Sequence, residues 1–270
     1  MSSEITQPAA AAPVYPEPAS PEVLEMIEAG VFYGLKKTKT RPEMKQYVIL
    51  NRGGIELINL EKTAEAMERV VGFVGEVVRG GGLPLLVATQ PAAQARVLEL
   101  AKKLRLPYVV NRWAGGIITN FKVVSKRTEY FLQLRRDLAS GALDKYTKKE
   151  RLLLEREMNR LKELFEGLEY MTKLPDVLIT IDPVMHHTAV REAKRAHIPI
   201  VALANVDADP ASANYLVPGN DSARRSIDWF FNKIEAAIEK GFAARVEKKE
   251  QAVAENPSVK EHEASRHPKT

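Results

Sequence analysis

Four groups of residues in this chain have side chains or spacings that suggest chemistry. His186 and His187 are adjacent, and Asp182 (before Pro183) and Asp207 (in Asp207-Ala208-Asp209-Pro210) follow apolar runs. Such residues move protons or hold metals. Their spacing argues against both roles here. Adjacent histidines on a helix point in different directions, and no His-x3-His pair accompanies them, so both are expected at the surface of a helix. Asp before Pro is ordinary turn chemistry, and neither acid has an evident nucleophile, lysine or histidine partner. Gly80-Gly81-Gly82 has the composition of a phosphate loop, but it ends a helix and precedes a strand, so a helix stop is expected. Thr89-Gln90-Pro91 lies between a strand and a helix but contains no glycine, and Pro91 suits a first helical turn. No catalytic residue, metal ligand, cofactor or small-molecule substrate is assigned.

The stretch NRWAGGIITNF, residues 111–121, is of another kind. It joins a planar cation (Arg112), a large aromatic (Trp113) and the Gly115-Gly116 pair. It then closes on Asn120 and opens a helix carrying Lys122, Lys126 and Arg127. A guanidinium that grips phosphate or stacks on a base, beside an aromatic platform, suits nucleic acid better than chemistry on a small molecule. Trp113 has two readings: it touches RNA, or it packs and holds the loop in shape. A second stretch, Pro218-Gly219-Asn220-Asp221-Ser222, leads into Arg224 and Arg225 in the first turn of a helix capped by Asp221 or Ser222. Cations there oppose the helix dipole, which a phosphate or acidic partner would explain.

The charge distribution agrees. The chain is only mildly basic, with 40 Lys and Arg against 35 Asp and Glu. Residues 31–52, with Arg41, Lys45 and Arg52, hold six bases and one acid. Residues 101–136 hold nine bases and one acid. Two basic blocks in a nearly balanced chain mark polyanion-facing surfaces. The chain has no cysteine, which excludes disulfides, thiol catalysis and cysteine-ligated zinc. No apolar run approaches the roughly 20 residues of a membrane helix. Residues 1–22 carry three acids and no base, against a signal or transit peptide.

These residues need elements to position them. Residues 1–20 read as a disordered Ala/Pro leader, followed by a helix over 21–29 that Gly30 ends. Tyr47–Leu50 and Ile55–Leu60 flank Asn51-Arg52-Gly53-Gly54 as a hairpin. Helices are expected over 62–79, 92–104, 186–196 and 222–242, with strands over 83–88, 108–110, 177–181 and 198–204. This alternation predicts a parallel sheet with helices on both faces, an α/β fold built from 21–119 and 173–242. Residues 120–172 interrupt it. Leu154, Met158, Leu161, Phe165 and Leu168 form a heptad seam, and Val124, Arg127, Phe131, Leu134 and Leu138 a second, less regular one. They predict an inserted antiparallel helical hairpin. Residues 243–270 read as a charged, flexible tail.

In this order the motifs resemble the bacterial type of the ribosomal protein S-two family, over roughly residues 22–240. The central signature resembles NRWAGGIITNF and the C-terminal one PGNDSARRSI, residues 218–227. Glu28-Ala29-Gly30-Val31, Gly54-Ile55 through Thr63, Ile181-Asp182-Pro183 and His197-Ile198-Pro199-Ile200 also match. The pattern departs where Phe32 and Leu35 replace two usual histidines, Thr40 a usual Trp, and Gln90 and Pro91 two usual lysines. The resemblance implies a flavodoxin-like parallel sheet with an inserted coiled-coil hairpin. It implies a non-catalytic, rRNA-binding role at the back of the small subunit, between head and body, in the cytoplasmic ribosome. It also implies neighbouring small-subunit proteins as partners, including the OB-repeat ribosomal protein number one. The expected rRNA contacts are Arg41, Lys45, Arg52, Arg112, Trp113, Asn120, Lys122, Lys126, Arg127, Arg224 and Arg225. Two rivals remain: an α/β enzyme using a nucleotide or sugar-phosphate, and a coiled-coil module that docks protein.

Overall fold

The computed structural model describes residues 20–143 and 145–255. Nearly all of the expected leader and the end of the expected tail lie outside these residues. The chain runs α1 (Pro21–Ala29), β1 (Tyr33–Lys36), β2 (Val48–Arg52), β3 (Ile55–Ile58), α2 (Leu60–Arg79), β4 (Pro84–Val87), α3 (Pro91–Leu104) and β5 (Tyr108–Val109). It continues through α4 (Phe121–Ala139), α5 (Lys148–Phe165), β6 (Val177–Ile181), α6 (His187–Arg195), β7 (Ile200–Ala204), β8 (Tyr215–Pro218) and α7 (Arg224–Glu255).

Five strands form a wholly parallel sheet in the order β5-β4-β6-β7-β8. Strand side chains alternate between faces, so each strand feeds two cores. Leu86, Ile179, Val201 and Val217 join the core that packs α1, α2, α3 and α7. Leu85, Val87, Leu178 and Ile200 join the core beneath α4, α5 and α6. Both faces are therefore covered, which is why these strands read as continuous apolar runs.

A smaller antiparallel sheet, β1-β3-β2, precedes it. The expected hairpin is present: Arg52 pairs with Ile55 across Gly53-Gly54, whose φ values of 59° and 82° give the doubly left-handed turn that glycine favours. The sequence reading missed β1 and β8. β1 contains Gly34, where a Cβ would stand 2.7 Å from the Glu56 carbonyl oxygen. β8 is short and ends in proline.

The helix boundaries shift for local reasons. Asn59 starts α2 early, accepting from the Glu61 and Lys62 backbone amides. Gly80-Gly81-Gly82 is indeed a helix stop, with Gly81 at φ 84°. The expected cap of α7 is corrected. Asn220 Oδ1 accepts from the Ser222 and Ala223 amides, leaving Asp221 buried beneath, and the helix opens at Arg224. The helix also continues past Phe242 to Glu255, so residues 243–255, expected in the tail, are helical.

Helices α4 and α5 pack on each other and on the sheet. Thr147 and Glu150 form a capping box that starts α5. Leu161 and Phe165 of α5, and Leu168 just after it, are buried, and Leu154 and Met158 pack against the same core. On α4 the expected positions Val124, Phe131 and Leu134 are buried, and one position differs. Thr128 is buried in place of Arg127, its hydroxyl donating to the Val124 carbonyl at 3.0 Å. That internal bond lets a small polar side chain enter the core, while the Arg127 guanidinium stays exposed.

The turn after α5 is pressed against the sheet at Gly167, where a Cβ would lie 2.1 Å from the Tyr108 carbonyl oxygen. Gly167→Ala is expected to destabilise the fold by about 3 kcal/mol, read as a lower denaturant midpoint at unchanged slope.

Candidate nucleic-acid interface

The loop at 111–121 leaves the carboxyl end of β5, and a carboxylate that the sequence reading missed organises it. Glu192, on α6, is 8% exposed and accepts five hydrogen bonds from the loop. Oε1 accepts from the Trp113 indole N–H at 2.9 Å and the Gly116 amide at 2.8 Å. Oε2 accepts from the Ile118 amide, the Thr119 amide and the Thr119 hydroxyl at 3.0–3.2 Å. Burial pushes the Glu192 carboxyl up, but the bonds from Gly116, Trp113, Thr119 and Ile118 outweigh it and hold the group below its ordinary range. Gly116, at φ 93°, supplies the left-handed residue that turns its amide toward the carboxylate. Ile117 and Ile118 are buried in the core below. The loop is thus pinned by one charge and two apolar plugs.

Trp113 is half-buried and packs against the core, with its indole N–H committed to Glu192. Holding the loop is therefore a role the geometry gives it directly. Arg112 and Asn120 remain exposed, as do Lys122, Lys126 and Arg127 on the first turns of α4. Arg112, Asn120 and Arg127 meet around one cleft of about 710 Å³ between the loop, the start of α4 and the end of α5. Arg160 of α5 also lines it, a residue the sequence reading assigned only to a seam helix. Asn111 ties the loop to α5, donating to the Glu163 carbonyl at 3.2 Å.

The other expected contacts stand elsewhere. Arg41 donates to the Asp207 carbonyl at 3.0 Å, Lys45 is exposed on the 3-10 turn before β2, and Arg52 is exposed at the end of β2. Arg224 and Arg225 are exposed at the start of α7. None of these five lines the cleft at Arg112.

Strand ends in the middle of the sheet are closed by internal bonds. His186 is buried, not at the surface as expected. Its Nε2 accepts from the Thr89 amide at 3.1 Å, which places the ring proton on Nδ1, 2.7 Å from the Ile181 carbonyl oxygen. His187 is exposed. Asp182 Oδ1 caps its own turn through the Val184 and Met185 amides, and Oδ2 accepts from Gln90. The crevice between β4 and β6, where the strand order reverses, is thus bridged by His186–Thr89 and Gln90–Asp182 contacts.

Asp221 is the most perturbed acid of this region. Burial and the nearby Asp182 and Asp207 charges push its carboxyl up to about 6, against bonds from Asn205 and Ser222. Burial also raises Asp207. A raised carboxyl binds its proton more tightly in the native state. Its contribution to stability is therefore full below its ordinary range and is lost as pH rises through 6. Asp221→Asn should stabilise the protein by about 2 kcal/mol at pH 8. The gain should vanish near pH 4 when urea midpoints of variant and parent are compared.

The model of the family described as Ribosomal protein S2 covers residues 26–241, from within α1 to within α7. The chain belongs to the ribosomal protein S2 family. It is 38% identical over 216 residues to the small ribosomal subunit protein uS2 of Thermus thermophilus, covering 80% of this chain and 84% of that one. The Corynebacterium jeikeium protein of the same name is 38% identical over 232 residues, covering 86% and 84%. That of Francisella tularensis subsp. novicida is 37% identical over 214 residues, covering 79% and 90%. Both signature stretches, NRWAGGIITNF and PGNDSARRSI, fall within the region matched to the ribosomal protein S2 family.

Proposed function

We propose that this chain is a structural, non-catalytic constituent of the small ribosomal subunit that binds its rRNA in the cytoplasmic ribosome. The observation that carries the reading is the loop at 111–121. A buried carboxylate fixes its backbone while its one cation, Arg112, stays exposed near Lys122, Lys126 and Arg127 of α4. A rigid base with outward cations recognises phosphate at little ordering cost. Membership of the family supports the assignment, since its relatives are named as small-subunit proteins. Among the described residues no helix is long and apolar enough to cross a membrane.

In this reading the strand order β5-β4-β6-β7-β8 is the flavodoxin-like order, used as a scaffold. The α4–α5 pair is the antiparallel coiled-coil arm. Its support is the pairing of Tyr130 with Glu157 while Val124 shares a cleft wall with Leu161. Arg41, Lys45, Arg52, Lys122, Lys126, Arg224 and Arg225 are further phosphate contacts. The subunit surface addressed is the back, between head and body.

One observation favours a protein contact on the same arm. Leu152 and Leu153 are about half exposed on α5, at 47% and 54%, and give a partner an apolar hold. The OB-repeat ribosomal protein number one is our proposed partner for that face.

The test is rebinding to small subunits depleted of this chain. One-to-one saturation, weakening steeply with salt, is expected. A chain that stays free as a soluble oligomer overturns the proposal.

A further inference from the structure

The cleft at the root of the α4–α5 pair has a composition that a simple phosphate-binding surface does not need. Its walls carry Val123, Leu161 and Leu164, and its rim carries Arg112, Arg127 and Arg160. Among the described residues, no hydrogen bond or ion pair holds any of these three guanidinium groups. Asn120 opens α4 without a side-chain capping bond, so its amide is also uncommitted. At about 710 Å³ the cleft falls within the usual range of small-ligand sites.

We propose that this cleft receives one unstacked nucleotide of the small-subunit rRNA, with its base against the apolar wall and its phosphates held by the arginines. The inference rests on the rRNA-binding reading and names what one part of that surface binds. An apolar wall rimmed by planar cations supplies the stacking faces that single-stranded RNA uses. The Asn120 amide and the Glu163 carboxylate, both at the cleft, suit hydrogen bonds to base edges. Lys122 and Lys126 carry the cationic surface onward along α4, as a strand of RNA leaving the cleft requires.

Little in the sequence marks this site. Arg112 and Arg127 stand in a basic block, but Arg160 is 48 residues beyond Arg112 and only folding brings it to the same rim.

The test uses the full chain assembled into small subunits. Val123 is 50% exposed, so large side chains there leave the fold intact. With the photo-crosslinker p-benzoylphenylalanine at position 123, the expected product is a crosslink to a single rRNA nucleotide. In subunits carrying Val123→Trp, that nucleotide should regain chemical reactivity at its base while other protections persist. Rebinding should weaken about tenfold. Arg160→Glu, also at an exposed position, should expose the same nucleotide. A crosslink only to protein, or base reactivity unchanged by both variants, overturns the cleft proposal while leaving rRNA binding intact. A parent chain that protects no rRNA nucleotide overturns both.

Discussion

Glu192→Ala is expected to destabilise the protein by about 3–5 kcal/mol, because it leaves several donors of the loop without an acceptor. The change strands the Trp113 indole, the Gly116, Ile118 and Thr119 amides and the Thr119 hydroxyl. Each buried donor left unmet costs about 1–3 kcal/mol, less whatever water recovers. Glu192→Gln keeps the shape but brings an amide donor toward donors, so its loss should be smaller and clearly measurable. Urea melts give the global effect. Hydrogen exchange gives the local one, with protection falling first at Gly116, Ile118 and Thr119. The pH dependence has a fixed sign. Because the folded carboxyl lies below its ordinary range, its contribution is present above the unfolded value and is lost as pH falls through the folded one. A melt of Glu192→Ala that superimposes on the parent would show that the loop holds itself.

The second large effect separates binding from folding. Arg112, Lys126 and Arg127 are exposed, and none is held by an ion pair among the described residues. Replacing all three with Ala should leave stability within about 0.5 kcal/mol. Each phosphate contact contributes roughly 0.7–0.9 to the slope of log affinity against log salt, so the slope should fall by about 2–3. Affinity for depleted small subunits near physiological salt should drop on the order of 100-fold. If incorporation is intact but a protein partner is lost, the arm docks protein instead.

Much of the fold was legible because burial on two faces and helix amphipathicity leave periodic traces. β4, β6 and β7 read as apolar runs, and Gly53-Gly54 and Gly80-Gly81-Gly82 marked their turns correctly. What escaped has local causes. β1 carries a glycine where Glu56 approaches, and β8, at the sheet edge, is only partly buried at Tyr215 and Leu216 and so lacks the fully buried pattern of β4. Arg127 fits the heptad as well as its neighbour does, but Thr128, whose hydroxyl bonds the Val124 carbonyl, is the one buried.

The candidate site was half legible for the same kind of reason. Arg112 and the α4 cations form a run that charge counting finds. Glu192 does not, because its five partners lie more than 70 residues away and its own helix reads as an ordinary amphipathic one. His186 looked like a surface residue because its partners, the Thr89 amide and the Ile181 carbonyl, come from two different strand ends. Buried polar groups are satisfied by tertiary neighbours, and composition does not name those neighbours.

Residence in the small ribosomal subunit, held through rRNA, is the central claim. Its most direct test is sedimentation of lysate from cells carrying the tagged full chain, with the parent and the Arg112/Lys126/Arg127→Ala variant run in parallel. The parent should migrate with small subunits and whole ribosomes at one copy per particle and persist through a moderate salt wash. The variant should fold yet shift toward the top of the gradient. A parent chain found only in the slow-sedimenting pool, with subunits lacking it, would contradict the account.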